Sequence, residues 1–234
     1  MNHPAPSYHG YRFPPAIISH AVWLYHRFCL SFRDVEDRLA QRGIAVSYEA
    51  IRQWCHTFGL AYARKLRRRR GPLGDTWYLA EVFVTIRGRR QYLWRAVDQD
   101  GDLLDILVQS HRDRRAAMRF FRKALKGQGR SPRRLVTDKL RSYSAAHRTV
   151  MPSVIHSTRQ YENNRAEASH QPTRQRERQM RRFKSSAHAQ RFLRVHGVIL
   201  NLSRVGRHLL RAAHYRLLRA RSFVVWDEVT CAYY

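Results

Sequence analysis

Two carboxylates stand out against a basic background. Asp138 closes the apolar run Arg134-Leu135-Val136-Thr137, and Glu167 follows 29 positions later (138 to 167) in Asn163-Asn164-Arg165-Ala166-Glu167. An Asp at the carboxyl end of a buried strand and a Glu at the opening of a helix offer hard oxygen ligands, the kind that Mg2+ selects. Two such ions, about 3.5–4 Å apart, stabilise the attacking and leaving oxygens of a phosphoryl transfer. Each residue also has an ordinary reading: a strand-end Asp is often a helix cap, and a helical Glu is often solvated. The cysteines Cys29, Cys55 and Cys231 form no close pair and no CxxC. A zinc or disulfide framework is not expected, and a reducing compartment fits.

The charge names the partner class. Of 234 residues, 45 are Lys or Arg and 17 are Asp or Glu, a formal net charge of +28. A folded chain this basic repels itself unless it meets a polyanion. Ribosomal or acidic-membrane binding and an Arg-rich genome are the bland alternatives. Nucleic acid leads, because phosphate neutralisation releases counterions. No apolar stretch approaches a spanning helix and no signal peptide opens the chain. The expectation is a cytoplasmic, nucleoid-associated protein with no membrane contact.

These groups need a scaffold. Residues 1–13 lack periodicity, and Pro14-Pro15 closes them. Ile17, Ala21, Leu24 and Phe28 then recur at helical spacing. A second helix starts after Ser31, with Val35 and Leu39 inward and Gly43 at its end; a third starts after Ser47, with Ile51, Cys55 and Phe58 inward and Gly59 at its end. Two short helices joined by a turn, with another packed before them, predict a helix-turn-helix, although an ordinary three-helix packing unit has the same pattern. On the former reading Tyr48, Glu49, Arg52, Gln53 and His56 face outward, Tyr48, Arg52, Gln53 and His56 being the DNA-binding candidates. The run Arg64-Lys65-Leu66-Arg67-Arg68-Arg69-Arg70-Gly71-Pro72 reads as a linker along phosphates through Arg67, Arg68, Arg69 and Arg70.

From Thr76 the period becomes two. Tyr78, Ala80, Val82, Val84 and Ile86 share one strand face. Turns at Arg87-Gly88-Arg89 and at 98–102 lead to strands over 92–97 and 103–109, an antiparallel meander. A helix over 112–126, the strand ending at Asp138, a helix over about 140–147, a short strand at 154–156 and further helix follow. Three antiparallel strands, helix, strand, helix, strand, helix is the order of the RNase H-like fold: α/β, a mixed five-stranded sheet with flanking helices. Such a core presents its metal-binding carboxylates on the first strand, at the end of the fourth, and on a late helix. The expected domains are a helix-turn-helix region (1–63), a basic linker (64–74), the RNase H-like core (75–190) and a C-terminal helical region (191–234). The stripe Phe192, Val195, Ile199 and Leu202 in the last region is core in preference to an interface.

The chain resembles the IS6-like (IS26-type) insertion-sequence DDE transposases of the RNase H-like integrase superfamily. Trp77-Tyr78-Leu79-Ala80-Glu81-Val82-Phe83-Val84, Tyr92-Leu93-Trp94-Arg95-Ala96-Val97-Asp98, Val136-Thr137-Asp138-Lys139 and Asn163 to Glu167 with His170 and Arg181-Arg182-Phe183-Lys184-Ser185 carry the resemblance, from about Tyr11 to Thr230. It implies an N-terminal helix-turn-helix on terminal inverted repeats and a core with Asp138 and Glu167 as catalytic, metal-holding residues. It also implies Mg2+ or Mn2+ as cofactor, strand cleavage and transfer on double-stranded repeat and target DNA, and a homodimer or higher assembly that joins two ends. Lys139 and Arg165 flank the acidic positions, where they would hold the scissile phosphate or simply balance the carboxylates. Arg174, Arg176, Arg178, Arg181, Arg182 and Lys184 would lie along the DNA backbone.

One departure matters. The family motif reads Trp-x-x-Asp-Glu, and Ala80 stands in the Asp position. Glu81 matches the motif's own Glu, and in a strand the next side chain points to the other face. Asp75 is too far upstream, and Asp98 is a remote substitute. The expectation is a chain that folds and binds DNA with severely impaired catalysis. The alternative is a catalytically inactive DNA-binding remnant that represses transposition. A basic structural or RNA-binding protein, the third reading, leaves the acidic residues without a role.

Overall fold

The computed structural model describes residues 7–204 and 210–231. The chain divides into two compact units, residues 1–70 with 195–234, and residues 71–194.

The first unit is helical. α1 (Pro15–Arg27) starts at Pro14-Pro15, where a fixed φ and a missing N–H cost nothing. Its buried face is Ile18, Ala21, Val22 and Tyr25, whereas Ile17 is half-buried and Phe28 lies past the helix end, 40% exposed. Ala21 and Leu24 of the expected stripe are buried, and the face widens past it because Ser19, Tyr25 and His26 carry polar atoms yet are buried too. α2 (Phe32–Ala40) opens with a capping box: the Asp34 N–H donates to Ser31 Oγ (3.1 Å), and the Ser31 N–H donates to Asp34 Oδ2 (2.7 Å). Ser47 caps α3 (Tyr48–Arg69) by accepting from the Ala50 N–H.

α3 does not stop at Gly59. It runs through to Arg69, so the basic run expected as a linker is mostly the end of a helix. Gly59 serves packing: a Cβ there would sit 3.5 Å from His26 and from Val195. Tyr8, Phe58, Tyr62 and Trp226 form a column of rings at successive centroid separations of 5.0, 5.8 and 5.4 Å. Trp226 comes from α9 (Ala212–Thr230).

The second unit is a five-stranded mixed sheet. Its strands are β1 (Thr76–Ile86), β2 (Arg89–Asp98), β3 (Leu103–Gln109), β4 (Arg134–Thr137) and β5 (Ile155–Ser157), in the order β3-β2-β1-β4-β5. The β1–β2 and β2–β3 pairs are antiparallel, and β1–β4 and β4–β5 are parallel. This is the RNase H-like arrangement. α4 (Arg114–Gln128), capped by Asp113, and α5 (Arg141–Val150) cover one face through Trp77, Leu79, Trp94, Phe120, Phe121 and Tyr143. α6 (Asn164–Ser169) and α7 (Gln171–Gln179) follow β5. α8 (Ser186–Ser203) begins in this unit, where Phe192 is buried; its residues from Val195 on, with Val195 and Ile199 buried and Leu202 half-buried, belong to the first unit. Among the described residues no helix is long and apolar enough to cross a membrane.

Candidate active site

β1 is the central strand, and the site grows from its middle. Its parallel register with β4 ends at Leu79 opposite Thr137. Ala80 and Asp138 are the residues that directly follow this last pair. Asp138 is half-buried at the carboxyl end of β4. Its Oδ1 accepts the Leu140 N–H (3.0 Å), which turns the chain into α5.

α6 brings in Glu167. Ala166 packs against Ala80 and Val97, with Tyr78 beside them, while Glu167 is exposed. Two buried bonds fix this short helix. Asn163 Nδ2 donates to the Leu79 carbonyl (2.8 Å). Arg95 Nε, on the residue paired with Ala80 across β2, donates to Ser169 Oγ (2.9 Å), which donates to the Ala166 carbonyl (2.6 Å). Arg95 is 2% exposed; burying a guanidinium demands such partners. His170, at the end of α6, is also buried. Burial, reinforced by the charges of Arg95 and Arg174 and opposed by the Ala80 backbone, holds its pKa down at about 3.

Glu81 points the other way. Its carboxylate, 2% exposed, accepts from Arg112 Nε (2.5 Å) and from Tyr143 Oη (2.5 Å) on the α5 side. Burial pushes the Glu81 pKa up and the nearby Asp138 charge adds to that, while Tyr143 and Arg112 oppose it. Asp98 is committed elsewhere, accepting from the backbone N–H groups of Gly74, Asp100 and Asp102. Asp75 pairs with Arg133. Of the two sequence-predicted carboxylates, Asp138 lies at the end of β4, one residue past the pair it makes with β1, and Glu167 follows Ala166, which packs on Ala80. Among the described residues no three His, Cys, Asp or Glu side chains converge as metal ligands.

Residues 74–205, more than half of the chain, match DDE_Tnp_IS240, a DDE domain. The chain belongs to this family of DDE transposases. Among curated relatives, the transposase for insertion sequence-like element IS431mec of Staphylococcus aureus is 29% identical over 164 residues, which are 68% of this chain and 73% of the relative. The transposase for insertion sequence element IS257 in transposon Tn4003, also from Staphylococcus aureus, has the same identity and coverage. Among solved structures, the HTLV-2 integrase catalytic core domain in complex with magnesium (trimeric form) aligns with a TM-score of 0.41 at 13% identity, covering 62% of this chain and 94% of that one.

The other DDE-transposase candidates scatter. Lys139 is exposed beside Asp138. Arg165 is exposed, with its guanidinium 5.8 Å from the Tyr78 ring centroid. Tyr48 is 40% exposed under the Arg33 guanidinium. Arg52 forms an ion pair with Glu49, which Gln53 also reaches, and His56 is exposed. Of the basic run, Arg68 is exposed and Arg69 pairs with Glu228, while Arg67 and Arg70 are half-buried. Arg181, Arg182 and Lys184 are exposed, the first two with left-handed backbones.

Arg176 is a correction. It is fully buried, with its guanidinium 5.2 Å from the Phe192 ring centroid, and so cannot lie along DNA. Sequence reasoning also passed over Arg95, Asn163 and Ser169. Their only advance signal was position, each lying in or beside a quoted family stretch.

Proposed function

We propose that this chain is a transposase by descent that binds the terminal inverted repeats of its own insertion sequence, and that its Mg2+-dependent strand cleavage and transfer are severely impaired. The observation that carries this reading is that Ala80 and Asp138 each follow the last β1–β4 pair, Leu79–Thr137, in a setting where α6 is bonded to β1 and β2. A methyl group cannot hold a metal or accept a hydrogen bond. On this reading the residues present position but do not complete the chemistry: Asp138 and Glu167 supply two of three carboxylates, and Lys139 and Arg165 hold phosphate. Tyr48, Arg52, Gln53 and His56 face the repeat. Arg67 to Arg70, Arg181, Arg182 and Lys184 neutralise backbone. Bringing two ends together requires a dimer or larger assembly on DNA.

A second reading has its own support. The α2–α3 pair keeps both of its serine caps, while the catalytic edge carries the methyl. A copy that binds ends without cutting them competes with active relatives and represses transposition.

The test is a strand-transfer assay in Mg2+ on duplexes carrying the element's ends, comparing the chain with Ala80→Asp, and a gel shift to show that both bind. Reaction by the Ala80→Asp protein alone supports the proposal. Reaction by both at similar rates refutes it, because another group must then supply the missing ligand. Binding by both without reaction by either favours the repressor reading.

A further inference from the structure

β4 stops at the site, but β1 carries on past it. β1 pairs with β4 only as far as Leu79, and β3 pairs with β2 only from Tyr92 onward. Beyond those limits Val84–Gln91 is a two-stranded tip, with Ile86 paired to Arg89 across a two-residue turn. Val84 and Ile86 are buried, so one face of the tip is covered. The turn itself and the other face are open. Phe83 is 61% exposed, with the Arg90 guanidinium 5.1 Å from its ring centroid.

The turn residues are Arg87 and Gly88, with φ of 51° and 75°. Positive φ at both positions defines a type I′ turn, in which the first position favours Asn, Asp or Gly. An arginine there is sterically disfavoured, so stability does not select it. Arg87, Arg89 and Arg90 are all exposed, and residues 82–92 contain no Asp or Glu. Among the described residues none of the three arginines has an ion-pair partner. Three neighbouring cations thus stand on a hairpin that projects from the site-bearing edge of the sheet. Arg87 is seven residues beyond Ala80, roughly 23 Å at strand rise.

We propose that the Arg87–Arg90 tip clamps the phosphate backbone of duplex DNA adjoining the reacting phosphate. This rests on the DNA-transposition reading above. A rise of 3.4 Å per base pair places the contacted phosphates within about seven base pairs of the cleavage position.

The test uses the full chain and a fluorescent 30-base-pair duplex of random sequence, with affinity measured against salt. Arg87→Asn should lower the slope of log K against log salt by about 0.9, and combining it with Arg89→Gln and Arg90→Gln should lower it by about 2.7. Because Asn suits the turn, Arg87→Asn should melt no lower than the parent, which separates lost contact from lost fold. A charge-matched control, Arg115→Gln, Arg122→Gln and Lys126→Gln on the exposed side of α4, should change the slope by less than about 1. Ethylation interference on an end duplex should lose, in the triple hairpin variant, phosphates within about seven base pairs of the cut.

Equal slope losses in hairpin and control variants overturn the clamp, as does an unchanged slope in the hairpin variant. Lost contacts more than a full helical turn from the cut overturn its placement. A parent chain with no salt-dependent DNA binding overturns the function reading as well.

Discussion

Ala80 and Glu81 are adjacent in one strand and occupy opposite environments. On the Glu81 face a carboxylate is held by a guanidinium and a phenol, sealed from water, and shifted by its neighbours. On the Ala80 face the supporting bonds of Asn163, Ser169 and Arg95 are present, and the group they would frame is a methyl. The contrast shows that α6 is held in place without a carboxylate at position 80. The bonds that place α6 use the backbone of Leu79 and the side chain of Arg95, and neither depends on the side chain at position 80.

The largest test of this contrast is the restoring substitution. Ala80→Asp should raise strand transfer by about a thousandfold or more, given the several kcal/mol that metal-assisted charge stabilisation supplies. A smaller gain would mean that the Ala80 face has lost more than one group.

The next is acid. His170 is neutral when folded, with a pKa of about 3 against an ordinary 6.5. The unfolded chain therefore binds a proton between those values that the folded chain refuses. Its share of stability is complete above about pH 6.5 and is lost as pH falls toward 3, by about 3–5 kcal/mol at the lower limit. Urea melts between pH 7 and 4 should show a shallower acid loss for His170→Gln than for the parent. Parallel curves would contradict the buried neutral imidazole.

On the opposite face, Glu81→Leu should destabilise by about 2–3 kcal/mol, because the buried Tyr143 hydroxyl loses its acceptor. Glu81→Gln, which keeps an acceptor, should cost about 1 kcal/mol. Equal costs would mean that the Tyr143 bond contributes nothing. The smallest effect belongs to Ser169→Ala, about 1 kcal/mol in melting experiments. In the Ala80→Asp background the same change should slow strand transfer while leaving gel-shift affinity unaltered.

Much of this architecture was legible in the sequence, for identifiable reasons. Period-two patterning marks β1, and the caps Ser31 and Ser47 stand where the helices begin. Misreadings arose where local rules meet tertiary packing. Gly59 looks like a helix end because glycine usually punctuates; in α3 it is a close-packing residue against His26 and Val195. Arg176 looks exposed because its neighbours are arginines, yet it is buried near Phe192. The Glu81 bracket was invisible because Arg112 and Tyr143 lie 31 and 62 positions away, and no spacing rule joins them.

The unbroken α3 has a mechanical consequence. Its 22 residues make a shaft, about 33 Å long at 1.5 Å per residue. Tyr48 at one end and Arg69 at the other cannot turn independently, so the azimuth of the arginines is locked to that of the residues proposed to read bases. Each residue inserted into the shaft would rotate one end against the other by about 100°.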